Sequence, residues 1–347
     1  MSEQLHNLAG MSDTSTTSNK VANKKDRQKV TIYAAGGGGT NLGHQLEQEG
    51  SSSCAAEYKV CYIDTSLSNI KYKDIDSKNY SVIEGVDGSG KVRKENVAVI
   101  NESIGKILLK HQPEMLNIIV ATGEGGSGSV IMPLLHKELL SRGEMVVSIM
   151  IGGEDSAIST MNTMNTIKSL DAVARSVGKP VVCSYVHNLP GKPRSVADSL
   201  VKSYVAALAI LGSGMNDEMD TSDIRNFLDY SKVTDLDPTL VTLNITSDIN
   251  EVTDDTVVAA SIFKNKEHLL TLPVDTDYHT TMFNNFDLVT GDGNSPTGIF
   301  FTISLGMDEY YSELDRKVKS IEERKAARTK VRSISSNDKL DDSGIVV

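Results

Sequence analysis

Cysteine is scarce in this chain, and its placement excludes two chemistries. Cys54, Cys61 and Cys183 are odd in number, with no Cys-x-x-Cys pair and no supporting histidine cluster. That pattern argues against a zinc site and against a catalytic cysteine, and fits the reduced thiols of a cytosolic protein. His44, His111, His136 and His187 have no metal-ligand spacing and read as structural. No apolar run approaches the ~18 residues that a membrane-spanning helix needs. The N-terminus lacks an apolar h-region, so no signal peptide is expected. Positive charge is also in deficit. Lys and Arg total 35 against 46 Asp and Glu, a net charge of −11, whereas proteins that coat nucleic acid need a basic face. What remains is 347 residues with 39% hydrophobic content, enough for one large or two medium domains with real cores.

Two glycine-rich turns are the most informative positive signal. The segment Thr122-Gly-Glu-Gly-Gly-Ser-Gly-Ser129 follows an apolar run, Met115–Ala121, that reads as a buried strand. It precedes Val130–Leu140, which reads as a helix. Glycines let a backbone approach an anion, several N–H groups point one way, and the helix dipole favours negative charge. Gly123, Glu124, Gly125, Gly126, Ser127, Gly128 and Ser129 are therefore candidate phosphate contacts, with the two serine hydroxyls as extra donors. The second turn is Gly36-Gly-Gly-Gly39, between the strand Lys29–Ala35 and a helix opening near Asn41. This second turn is neither a Gly-x-Gly-x-x-Gly fingerprint nor a Gly-Lys-Ser/Thr P-loop. A lone glycine run reads equally well as a tight strand-to-helix turn; two in one α/β unit favour a nucleotide. Gly36, Gly37, Gly38, Gly39, Thr40 and Asn41 join the candidates. A third loop, Gly85-Val-Asp-Gly-Ser-Gly-Lys91, with Gly88, Ser89 and Gly90, suits closure over phosphates.

Strands at 29–35, 58–63, 115–121, 145–151 and 180–186 alternate with helical stretches, the signature of a parallel sheet with helices on both faces. Residues 1–28 are rich in Ser, Thr, Asn and Lys and are expected to be disordered. Between two glycine breaks, apolar positions 196, 200, 201, 204, 205, 208 and 211 follow helical spacing. Strand-like runs at 239–246, 268–274 and 298–305 suggest a smaller α+β domain. A long charged helix is expected from Asp308 to about Ser333.

The order and spacing of Gly36–Asn41, Gly88–Lys91 and Gly123–Ser129 resemble the first, third and fourth nucleotide loops of the tubulin/FtsZ superfamily. Gly125-Gly-Ser-Gly-Ser129 resembles the tubulin signature Gly-Gly-Thr-Gly-Ser/Thr, with Ser127 in the usual place of Thr. Glu124 stands where bacterial FtsZ has a small residue. Thr160–Val173, Pro180–Val186 and the end Asp341-Asp-Ser-Gly-Ile-Val-Val347 are most similar to the PhuZ-like phage tubulins of nucleus-forming bacteriophages. The resemblance implies a Rossmann-like parallel-sheet GTPase domain over 29–194, a central helix over 195–212, a smaller α+β domain over 213–307, and a C-terminal helix and acidic tail over 308–347. It implies GTP/GDP and Mg²⁺ as ligands, the metal being held through phosphates and water.

The resemblance also assigns roles. Asp198, near the start of the central helix, matches a guanine-reading position. Asp220 and Asp223 match the two acidic positions of the seventh nucleotide loop, Asp220 lying 22 residues after Asp198, with Glu218 where Asn is usual. A helix over 196–211 spans roughly 24 Å. If Asp198 touches the nucleotide, Asp220 and Asp223 lie at the opposite pole and can reach only the phosphates of a second subunit stacked head to tail. An open head-to-tail contact builds a filament. The ordinary reading of Asp220 and Asp223 is a helix N-cap. Asp64 suits the second nucleotide loop or a helix cap, and Asn41 suits base contact or a cap. Glu154 suits the ribose and Asn188 the base or sugar, each at parity with an ordinary loop residue.

Arg316, Lys317, Lys319, Arg324, Lys325, Arg328, Lys330 and Arg332 precede a tail with Asp338, Asp341 and Asp342. The family implies that such a tail docks on a neighbouring subunit; without the family it is a solvated helix and a frayed end. The role implied is a GTP-hydrolysing filament in the infected host cytoplasm that positions the phage nucleus or moves capsids. Its partner is itself, with the phage nucleus shell or capsids as cargo, and without direct nucleic-acid or membrane contact. The alternatives are a TubZ-like DNA-segregating filament, a Rossmann-type dinucleotide enzyme, and a non-hydrolysing nucleotide-bound structural protein.

Overall fold

The computed structural model describes residues 27–70, 73–88, 90–94, 96–189, 191–215, 218–284 and 296–328. Expectations for 1–26, for Ser89, Lys330 and Arg332, and for the acidic tail lie outside these residues.

Strands β1 (Lys29–Ala35), β2 (Glu57–Asp64), β3 (Tyr80–Val82), β4 (Leu116–Thr122), β5 (Val146–Gly153), β6 (Val181–Asn188) and β7 (Leu240–Thr246) pair in parallel in the order β3-β2-β1-β4-β5-β6-β7. The apolar runs of the central strands β1, β4, β5 and β6 are buried on both faces, as parallel strands require, while the edge strand β3 is half-buried. Helices α1 (Gly36–Glu49) and α5 (Arg194–Leu211) cover one face, where Leu42, Leu46, Val201, Val205 and Leu208 pack on Val30, Ile32 and Ala34. Helices α2 (Val97–Lys110), α3 (Gly128–Ser141) and α4 (Ala157–Val177) cover the other, packing on Tyr33, Ala35 and Ile119. The connections leaving β1 and β4 thus pass to opposite faces. That divergence opens a crevice at the carboxyl ends of these adjacent strands, the usual ligand position in open α/β sheets.

The sheet then continues rather than stopping. β7 pairs antiparallel with β10 (Gly298–Leu305), which pairs with β8 (Thr256–Phe263), and β8 pairs in parallel with β9 (Tyr278–Phe283). The strand expected at 268–274 is absent: a short 3-10 turn, Lys266–His268, ends where the segment begins, and Leu269 and Leu270 are exposed. Pro273 cannot donate to a ladder. The strands that replace it, β8 and β9, flank the segment. The exposed start of α5 also departs from the periodic reading, because Val196 and Leu200 face solvent. The C-terminal helix α7 (Asp308–Arg328) packs against α4 and buries Leu314 and Val318. Cys61 and Cys183 are buried, and burial pushes both thiols up to about 12, which leaves them inert as nucleophiles at neutral pH.

Helix α6 (Thr221–Leu228) follows α5 and sits at the other end of the sheet. Ala56 N–H bonds Ala209 O, Gln28 N–H bonds Ser213 O, and Arg225 bonds Gly143 O. All three contacts lie at the amino ends of the parallel strands. Asp220 caps α6 by accepting from Ser222 N and Asp223 N, while Asp223 Oδ2 accepts from Asp220 N. Asp220→Ala should lower the stability of this segment by about 1 kcal/mol, and Asp220→Asn should restore most of it. Urea unfolding midpoints of the three proteins measure the effect.

Candidate functional site

The two glycine turns meet. Gly36 has φ +69, and a Cβ there would lie 2.6 Å from Gly128 N. A Cβ on Gly128 would lie 2.8 Å from Ala35 O. The first turns of α1 and α3 therefore converge, one from each face of the sheet, with their unsatisfied N–H groups at a common opening. Around this point lies a cleft of about 750 Å³ lined by Gly37, Gly38, Asn41, Asp64, Gly88, Glu124 and Gly125–Gly128. The first, second, third and fourth loops are thus brought together. The cleft also takes in Ser66, Ser68, Asn69, Asp87, Lys91, Thr122 and Arg194. Of these, Lys91 closes the third loop. Asn69 and Arg194 carry no sequence signal of their own.

The loops are tied to one another. Asp64 is 2% exposed, and its carboxylate accepts from Thr65 N and Asn69 Nδ2, both at 2.7 Å. Burial pushes this carboxyl above its ordinary range, against the pull of those hydrogen bonds. Thr65 Oγ1 and Ser127 Oγ lie 2.6 Å apart, joining the second loop to the fourth. Asn162 on α4 donates to Lys91 O, Glu124 O and Gly125 O, joining the third loop to the fourth. Arg93 reaches Asn162 O, Thr166 Oγ1 and Ser169 Oγ. Burial pulls its guanidinium down to about 10.

Several expected residues stand elsewhere. Ser129 is fully buried and spends its hydroxyl on Gly126 O, so it adds no donor to the cleft. Gly36, Gly39, Thr40, Gly90 and Gly123 shape the loops without lining the cleft. Glu154 does not face the cleft: its buried carboxylate lies 3.0 Å from His187 Nε2 and pairs with Lys317 of α7. The reason is Lys317 of α7, which reaches the carboxylate just beyond the end of β5. Asn188 is buried at the end of β6 and also stands outside the cleft lining. Asp198 is half-buried one helical turn below the cleft-lining Arg194, on the same helix face. Burial raises its carboxyl, while Lys202 and Arg194 oppose the shift. Glu124 is 8% exposed and folds its carboxylate over Gly153, where Oε2 has no hydrogen-bond partner. Asp223 Oδ1 accepts from Tyr278 OH at 2.9 Å. Among the described residues no group of three His, Cys, Asp or Glu is placed to hold a metal ion by itself.

The glycine contact gives a test with an internal control. Gly50 has the same φ of +69 as Gly36 but nothing within 4 Å of an added Cβ. Gly50→Ala should cost only backbone strain, about 1–3 kcal/mol. Gly36→Ala should cost more, and it alone should weaken binding of a nucleoside triphosphate. Thermal unfolding and calorimetric titration separate the two.

No protein-family model matches the chain. A phage tubulin-like protein of Pseudomonas phage phiKZ is 31% identical over 235 residues, which is 64% of this chain and 69% of that protein. The protofilament structure of TubZ from bacteriophage PhiKZ superimposes with a TM-score of 0.80 at 27% identity, covering 92% of this chain and 99% of that one. The GDP-bound structure of the phage tubulin PhuZ shares the fold, with a TM-score of 0.78 at 21% identity over 92% of this chain and 99% of that one. With two converging glycine turns at the switch point of a parallel sheet, and a relative of this identity and coverage, the chain belongs to the phage tubulin-like proteins.

Proposed function

We propose that this chain binds GTP in the cleft over β1 and β4, polymerises head to tail, and hydrolyses GTP at the junction between subunits. The observation that carries the reading is the separation of two half-sites. The cleft lies at the carboxyl ends of the parallel strands, whereas Asp220 and Asp223 lie at their amino ends, beyond α5. Eighteen residues of helix span about 27 Å, so these carboxylates serve the cleft of another copy. A similar protein forms a protofilament and a fold neighbour binds GDP; both support the assignment. The division into a GTP-binding unit over 29–194, a central helix and a C-terminal unit follows the same reading.

The chain's own groups divide the work. N–H groups at the starts of α1 and α3 take phosphate oxygens. Asn41 and Asp198 are the candidates for the base, Asp198 as a bidentate acceptor from guanine N1–H and N2–H₂. The donor set fits Mg²⁺ held mainly by phosphates and water, with Glu124 and Asp64 as nearby carboxylates; the ion would neutralise phosphate charge. Asp223 of the adjoining subunit orients the attacking water, with Asp220 beside it. Within the infected host cytoplasm such a filament positions the phage nucleus or carries capsids.

Selectivity tests the base assignment. GTP should bind more tightly than ATP, and Asp198→Ala should erase the difference; equal affinities in the parent protein would remove Asp198 from this role. Catalysis is tested with Asp223→Asn, which retains an acceptor for Asp220 N–H and so spares the cap. Filaments should form but GTP turnover should fall by about 10²–10⁴. Mixing this variant with Gly126→Val, whose side chain enters the cleft, should recover turnover at junctions that pair an intact cleft with an intact Asp223. Normal turnover by Asp223→Asn alone would reduce the acidic pair to a helix cap.

A further inference from the structure

The capping box at the start of α6 accounts for one oxygen of Asp223 and not for the other. Asp223 Oδ2 accepts from Asp220 N–H, and that bond completes the box. Oδ1 is taken by a group from outside the helix. Tyr278, the first residue of β9, donates its hydroxyl to Oδ1 at 2.9 Å. The donor lies 55 residues further along the chain, on the last strand of the sheet. A helix cap needs no such partner.

The tyrosine is itself held in place. It pairs with Val258 in the register of β8 and β9, and its half-buried ring packs against the core that contains Ile224 and Phe227 of α6. Its hydroxyl stays a donor at neutral pH, because burial, and after it the hydrogen bond to Asp223, push its ionisation above the ordinary tyrosine range. The consequence falls on the carboxylate. The torsion that turns an aspartate carboxylate is broad and roughly two-fold. One hydrogen bond, on Oδ2, leaves much of that rotation available. Bonds on both oxygens, from an amide on one side and a phenol on the other, fix the plane of the group. Each oxygen keeps acceptor capacity, now aimed in a set direction. Asp220 differs, since both of its cap bonds fall on Oδ1.

We propose that Tyr278 is a positioning residue for GTP hydrolysis: by donating to Asp223 Oδ1 it fixes the carboxylate that holds water against the phosphates of the adjoining subunit. The inference rests on the reading of Asp223 as the water-orienting group of a neighbour's cleft. It also separates the two aspartates, with Asp223 as the orienting carboxylate and Asp220 chiefly as the cap. Turnover then depends on β9 being docked on α6, because two parts of the chain hold one side chain in its productive direction.

Tyr278→Phe keeps the ring and removes the hydroxyl. GTP turnover by assembled protein at saturating nucleotide should fall about tenfold, the low end for a lost hydrogen bond to a charged group. Affinity for GTPγS, the concentration threshold for assembly in GTPγS and the urea unfolding midpoint should stay close to those of the parent. The mixture of Asp223→Asn with Gly126→Val then locates the effect, because there the carboxylate comes from the Gly126→Val subunit and the nucleotide from the other. Tyr278→Phe added to the Gly126→Val protein should lower the recovered turnover about tenfold. Added to the Asp223→Asn protein, where its partner is already lost, it should lower that turnover no further. Normal turnover in Tyr278→Phe beside slow turnover in Asp223→Asn would overturn the proposal and leave the GTP reading standing. So would an equal loss from either member of the mixture, or a loss matched by a raised assembly threshold, since Tyr278 would then be a strut between β9 and α6. If Asp223→Asn alone hydrolyses GTP normally, or the mixture without Tyr278→Phe recovers no turnover, the shared-site reading and the proposal fall together.

Discussion

The close approach of two backbone turns governs the arrangement of this molecule. Gly36 and Gly128 leave no room for a Cβ between them. That contact is available only because β1 and β4 are neighbours in the sheet while α1 and α3 lie on opposite faces. Two helix N-termini then point at one opening, and their dipoles add there. The other loops are organised around this point. Thr65 leans on Ser127 from one side, and Asn162 gathers the carbonyls of the third and fourth loops from the other. The proposed anion site is built from backbone, so Ser127 in place of the family's usual Thr leaves that backbone intact.

The cleft's side chains pull the other way. Among the described residues three carboxylates line it against two cations, one of which is already paired. Glu124 is the sharpest case, buried with an oxygen that has no partner and packed on Gly153. A buried unpaired polar atom costs stability, so its position is the more notable. The same strand end leads outward. Gly152 adjoins the Tyr185 hydroxyl, and the Tyr185 ring lies 4.6 Å from that of Tyr310 on α7. Glu154, two residues on, lies 3.0 Å from His187 Nε2 and pairs with Lys317. The floor of the cleft and the C-terminal helix therefore share the ends of β5 and β6.

The legible parts of the sequence were those where local chemistry and tertiary role coincide. The two glycine turns are legible, as are β1, β2, β4, β5 and β6 as apolar runs, and β1, β4 and β5 end at glycines; β3 is three half-buried residues and leaves no such run. β8 and β9 were not read. Thr256–Phe263 is buried at every position but Val257 and has no alternation, and the Leu269-Leu-Thr-Leu272 run draws the strand expectation to a segment that stays outside the sheet. Glu154 was misplaced because its partner, Lys317, lies 163 residues away in sequence. Val196 and Leu200 matched a helical period yet face solvent, since periodicity describes a face and not what covers it.

The acidic pair at α6 illustrates how two readings of one motif can both hold. A capping box needs carboxylates aimed at backbone N–H groups, and a water-orienting site needs a carboxylate held in one direction. The first requirement serves the second. Asp223 Oδ2 receives Asp220 N–H and Oδ1 receives Tyr278 OH, so the group has no rotational freedom to lose. Each carboxylate oxygen can still accept a second hydrogen bond, which leaves acceptor capacity for a water. Asp220 uses Oδ1 for both of its cap bonds, on Ser222 N and Asp223 N, so its Oδ2 is held in place without being occupied by the cap. The cost of ordering the carboxylate proposed to orient the water is thus met by the folding of α6 itself. On this argument the helix-capping signal is the means by which the sequence fixes a carboxylate at the pole of the molecule where another copy's phosphates would come.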